Sequence, residues 1–223
     1  MKLSKQSKRK SDVIDKHDTA FHEAAHTIVA LYFGHEVGET TIVGNEREAG
    51  SSETKPTRSF HRDIPVNYFA LEEEIVIYMV GKEAVVAYRR ETGQRVEGVD
   101  FGDELDMEPA RKYAGYLQDL FTDEDVEHCL KRLRQVAACV VIYGPIWGAI
   151  AALAGALLES DTVPADKARA VFKQAMGAET VRMPLIQSTA PAAMKTVAPS
   201  GCSVPPFPAP AAGQSAPPGA CPA

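Results

Sequence analysis

The chain has 223 residues, 45% apolar and 24% charged, enough for one domain with a core and ordinary for a globular protein. Its net charge of −6 is uneven: residues 1 to 10 carry five basic groups and no acid, so the remainder stands at −11, which argues against a nucleic-acid-binding body. Four cysteines, Cys129, Cys139, Cys202 and Cys221, show no C-x-x-C spacing, which argues against a disulfide framework or a cysteine zinc site.

Residues 1 to 16 read as a basic tail. It lacks the apolar stretch of a signal peptide, and a cytoplasmic protein is expected. From His17 to Phe33, Phe21, Ala25, Ile28, Val29 and Tyr32 recur at helical spacing, with Asp18 as the expected N-cap and Gly34 as the stop. Glu39 to Val43, between Gly38 and Gly44, reads as a short strand, and Asn45 to Asp63 as a long polar surface loop. Pro65 to Arg90, Met107 to Phe121, Asp123 to Gln135 and Pro164 to Met176 read as further helices. Pro109 belongs in a first turn, which sets the start of its helix near Asp106.

Val136 to Leu158 is a run of 23 residues without a charge, long enough to cross a bilayer. Ten of the 23 are Ala or Gly, Gly144-Pro145 interrupts the middle, and no aromatic belt flanks it, so a buried central helix bent at Pro145 is the expectation. Residues 177 to 223 hold ten of the fifteen prolines and only three charges, Glu179, Arg182 and Lys195, and read as a Pro/Ala-rich disordered tail. The sequence therefore predicts a mainly α domain over residues 17 to 176, α+β only through one small strand region, between two tails.

The residues that carry chemistry lie in the first helix. His22-Glu23-Ala24-Ala25-His26 sets two imidazoles four positions apart on one face, where both can reach one metal, and places Glu23 beside the first, within reach of a water activated there. Imidazole nitrogen suits zinc, and a catalytic zinc site takes three protein ligands and leaves a position open. The third ligand is sought among the carboxylates Asp103, Glu104, Asp106 and Glu108, although an aspartate at a helix start also serves as a cap. Small residues at Ala110 and Ala114 favour Asp106, by letting the new helix approach the motif helix closely. His35 and His61 are candidates to assist a tetrahedral intermediate, although a lone histidine near a strand or loop is more often merely exposed, and His17 and His128 read as structural or surface residues.

The run Ala20-Phe21-His22-Glu23-Ala24-Ala25-His26-Thr27-Ile28-Val29-Ala30 resembles the opening of the peptidase domain of the FtsH-type ATP-dependent zinc metalloproteases. Gly81-Lys82-Glu83-Ala84 is similar to that family's glycine-alanine helix, Asp106-Met107-Glu108-Pro109-Ala110 to its aspartate segment, and Ile150 to Phe172 to its closing helices. The resemblance implies a helical zinc metallopeptidase with Zn2+ on His22, His26 and Asp106 and with Glu23 as the general base. It also implies flexible or unfolded polypeptides as substrates, and a separate ATPase or a homo-oligomer as partner. The chain departs from the family at Ala25, usually glycine, and at Val86, near a usually acidic position. It also lacks a phosphate-binding loop, since Val76 stands five positions before Gly81 and Glu83 follows Lys82. Two other readings remain open: a metal-stabilised interaction module whose activity has lapsed, and a helical membrane-associated protein built on Val136 to Leu158.

Overall fold

A computed structural model describes residues 15–44, 50–55, 68–97, 103–120 and 122–177. The protein is mainly helical with one small antiparallel sheet. Its elements are α1 (Lys16–Phe33), β1 (Glu36–Thr41), β2 (Ser51–Lys55), α2 (Tyr68–Glu91), α3 (Asp103–Leu120), α4 (Val126–Ile142), α5 (Gly144–Ser160), β3 (Thr162–Val163) and α6 (Ala165–Met176).

Helix α1 is the central element. It buries every residue from Asp18 to Ala30, the polar Asp18, Thr19, His22, Glu23, His26 and Thr27 among them, and packs mainly on α2 and α5. It ends at Gly34, whose φ of 83° is the left-handed conformation that glycine adopts without steric cost. The N-cap is Asp15 rather than Asp18: the Asp15 side chain accepts from the His17 N–H at 3.0 Å. Asp18 is instead fully buried and accepts two hydrogen bonds at 3.1 Å from Nε of Arg89, near the end of α2. A carboxylate with no exposure is tolerable only against such a partner. Arg89→Met is expected to destabilise the fold by about 3 to 5 kcal/mol, because it strands that charge. Urea denaturation checks this, and a loss below about 1 kcal/mol would mean Asp18 finds other compensation.

The sheet has the order β2-β1-β3, with Glu36 opposite Lys55, Thr41 opposite Ser51, and Thr40 opposite Val163. The observed first strand begins earlier than Glu39 and ends at Thr41. The expected loop from Asn45 to Asp63 contains β2, which carries no apolar side chain in Ser51-Ser52-Glu53-Thr54-Lys55 and is held by main-chain pairing along one edge. The remainder of that loop, including His61, lies outside the described residues. The Thr27 hydroxyl shares a hydrogen bond of 2.7 Å with that of Thr40, fastening the sheet to α1.

The uncharged run from Val136 to Leu158 is not one bent helix. It contributes the second half of α4 and nearly all of α5, with a break at Tyr143 and a bend of 76° between them; Pro145 lies in the first turn of α5, where its missing N–H costs nothing. Ile146, Ala149, Ile150, Leu153, Ala154 and Leu157 of α5 are buried in the core. Among the described residues no single helix is long and apolar enough to cross a membrane, although the bent pair passes on length and composition together. Helix α4 starts at Val126, capped by Asp125, and α6 follows the expected bounds to within a residue. Residues 1 to 14 and 178 to 223, the bulk of the two expected tails, lie outside the described residues.

Helix α3 begins earlier than expected, at Asp103, so Asp106 lies within it and Pro109 falls in the second turn. The proline leaves the Leu105 carbonyl without its helical partner, and Leu105 is 53% exposed, so that end of the helix faces water. Ala110 and Ala114 are buried, but α3 packs on α2 and α4 rather than along α1. The small residues therefore bring Asp106 to the motif helix indirectly, across α2.

Candidate metal centre

His22 and His26 project from the buried middle of α1, and their rings meet edge to face with centroids 4.6 Å apart. Nδ1 of His26 lies 2.7 Å from the Ile77 carbonyl oxygen of α2. A carbonyl only accepts, so Nδ1 carries the proton, and in the neutral ring Nε2 presents its lone pair. That Nε2 faces Nε2 of His22 at 3.0 Å. Oδ2 of Asp106 completes a triangle, 3.1 Å from His22 Nε2 and 3.4 Å from His26 Nε2. Among the described residues this is the one group of three such side chains whose ligand atoms converge.

Three lone-pair-bearing atoms cannot approach so closely without a proton or a cation among them. In a tetrahedral site with bonds of about 2.0 to 2.1 Å, ligand atoms stand about 3.3 to 3.4 Å apart, so the observed edges need only a few tenths of an ångström of expansion to hold zinc. The histidine side chains are 8% exposed and that of Asp106 25%, which leaves the carboxylate side open to solvent. Burial works against a charge on His26, but the Asp106 carboxylate dominates, with Glu23 adding, and pushes His26 up to about 9. Asp106 pays for its own burial, yet the His26 and His22 imidazoles hold it well below the usual carboxylate range. The triangle is thus built to bind positive charge.

Two close backbone approaches make room for it. A Cβ at Gly81 of α2 would fall 2.5 Å from Cε1 of His22 and 2.6 Å from Nε2 of His26, so only glycine lets α2 pass beneath both rings. Gly81→Ala is expected to lower zinc affinity by on the order of 10 to 100-fold, because the added methyl pushes both ligand rings out of place. Competition against a chromogenic chelator checks it, and wild-type affinity would show that both rings can shift aside.

Glu23 is buried beside the triangle, with the Ser52 side chain of β2 near enough to favour its charged form. Burial raises its pKa, opposed by the fields of His26 and His22. At Gly50 a Cβ would lie 2.9 Å from Glu23 Cγ, so the chain entering β2 passes directly over this carboxylate. Ile77 and Ser52 escaped the reading of the sequence. A main-chain carbonyl leaves no trace in residue type, and Ser52 lies in a polar strand without apolar alternation, so neither carries a sequence signal.

Of the other acidic candidates, Glu104 and Glu108 are exposed on α3. Val86 lines a groove of about 270 Å³ with Glu83, Ala87, Arg90, Ala138 and Trp147, among others, and none of the metal-centre residues borders it. His128 is exposed and paired with Asp125 of its own first turn. His35, expected at the surface, is buried. No protein-family model matches the chain, and no curated protein matches it at a significant level.

Proposed function

We propose that the protein is a zinc-dependent endopeptidase of the FtsH-peptidase type, acting on flexible or unfolded polypeptides. The observation that carries this reading is the convergence of His22, His26 and Asp106 within 3.4 Å, beside a buried glutamate on the same helix as the histidines. Zinc, when bound, would polarise the scissile carbonyl and acidify a water. His26 is held in the metal-binding tautomer by Ile77, His22 shares its helical face, and Asp106 supplies the one negative charge of the set. Glu23 accepts the proton of the attacking water as the C–O bond forms, and delivers it to the amide nitrogen as the C–N bond breaks. Its raised pKa suits a group that must both take and give that proton.

The resemblance of Ala20 to Ala30 and of Asp106 to Ala110 to the FtsH-type peptidases supports the same assignment, as do the helical architecture and the position of Gly81 under the histidines. A cytoplasmic protein with a separate ATPase, or a ring of its own copies, as partner accords with that reading. The test is cleavage of an unstructured polypeptide by the zinc-loaded protein. Turnover abolished by a chelator and restored by zinc is expected, and a zinc-loaded protein that cleaves nothing would favour the lapsed interaction module.

A further inference from the structure

His35 has no part in the chemistry just described, yet it is 9% exposed and lies between two carboxylates. Its Nδ1 is 3.2 Å from Oε1 of Glu74 and its Nε2 3.9 Å from Oε2 of Glu73, both on α2. Glu74 is itself 5% exposed. The His35 backbone N–H donates to the Ala30 carbonyl at 2.8 Å, so the main chain at this position is fixed to the end of α1. Ala30 is one turn beyond His26, and Glu74 is one turn before Ile77. The two helices are therefore joined at two successive levels, His35 to Glu74 and His26 to Ile77.

We propose that His35 is a positioning residue for the metal centre: its contact with Glu74 holds α2 in register along α1, so that the Ile77 carbonyl meets His26 and Gly81 passes under both imidazoles. This rests on the reading of His22, His26 and Asp106 as metal ligands. The tolerances are small. The His26 bond of 2.7 Å leaves under an ångström before a hydrogen bond is lost, and Gly81 already lies too close to both rings to admit a Cβ. A helix rises about 1.5 Å per residue, so a slip well below one residue along α2 breaks the arrangement. Arg89 on Asp18 ties the far ends of the same two helices, and His35 is the tie next to the metal centre: a neutral residue at position 35 removes it there and leaves the Glu74 carboxylate buried without its cation.

The test uses the full chain with His35→Gln and Glu74→Gln, each read out by zinc affinity and by the imidazole Nδ1–H resonance of His26 in proton NMR. His35→Gln is expected to lower zinc affinity on the order of 10-fold or more and to broaden or lose the His26 resonance in a chain that still folds. Asp125→Ala is the control: it removes the N-cap of α4, which weakens the fold away from the α1–α2 contact, and should leave both readouts of the folded protein unchanged. Should His35→Gln fail to fold, Glu74→Gln, which keeps the side-chain shape, is expected to move both readouts in the same direction. Wild-type affinity with an intact His26 resonance in a folded variant would overturn the proposal. A wild-type protein that binds no zinc would instead refute the metal reading, and the His26 resonance would still decide whether His35 sets the register.

Discussion

Replacing Glu23 by Gln is expected to lower peptide-bond cleavage by at least about 10²-fold, the usual contribution of a general base, while zinc stays near about one equivalent per chain. The two outcomes separate because Glu23 is buried beside the triangle without being part of it: the ligand atoms that converge are those of His22, His26 and Asp106. Glutamine preserves the shape under Gly50, so β2 keeps its place over α1. It cannot take a proton from water. Cleavage measured on zinc-loaded wild type and variant at equal metal content gives the comparison. Retained turnover would remove Glu23 from the mechanism, and loss of zinc would make it a ligand.

Asp106→Asn is expected to lower zinc affinity by at least the 10 to 100-fold that losing a second-shell partner costs, because here a ligand itself is changed. The substitution removes the only negative charge among the three ligand atoms, and with it the field that pushes His26 up to about 9. An amide oxygen can still touch the metal, but it offers a dipole where a charge stood. Glu108→Gln, exposed on the outer side of the same helix, should change affinity by less than about threefold, within the range of a surface charge at physiological salt. Equal losses for the two variants would mean that the acidic character of α3, and not the Asp106 contact, attracts the ion.

Much of this site could be read before any coordinates. The spacing of His22 and His26 fixes their common face, and helical periodicity from His17 to Phe33 gives α1 nearly to the residue, because an element this buried writes its packing into its sequence. The alanines after Asp106 point to close packing without naming the partner: they are buried against α2 and α4 and not against α1, since nothing local says which neighbour a small-residue face will meet. Asp15 and Asp18 show the same limit. Either can cap a helix, and the choice is made by Arg89, 71 positions away, which claims Asp18. Strand β2 was hidden because a polar edge strand needs no apolar alternation. The break at Tyr143 was placed two residues late because Pro145 is the visible signal, while the chain turns just before the helix that accommodates it. His35 looked like a surface histidine because its partners, Glu73 and Glu74, lie on a different helix.

Whether this triangle holds a metal ion is measured most directly by the zinc content of purified protein beside that of the His22→Ala variant. The variant loses one corner, 3.0 Å from His26 and 3.1 Å from Asp106, and leaves two ligands where a catalytic zinc site takes three. About one equivalent of zinc in the wild type, and less than about a tenth of that in the variant after dialysis against a weak chelator, is the predicted result. Zinc absent from the wild type, or equally retained by the variant, would contradict the account.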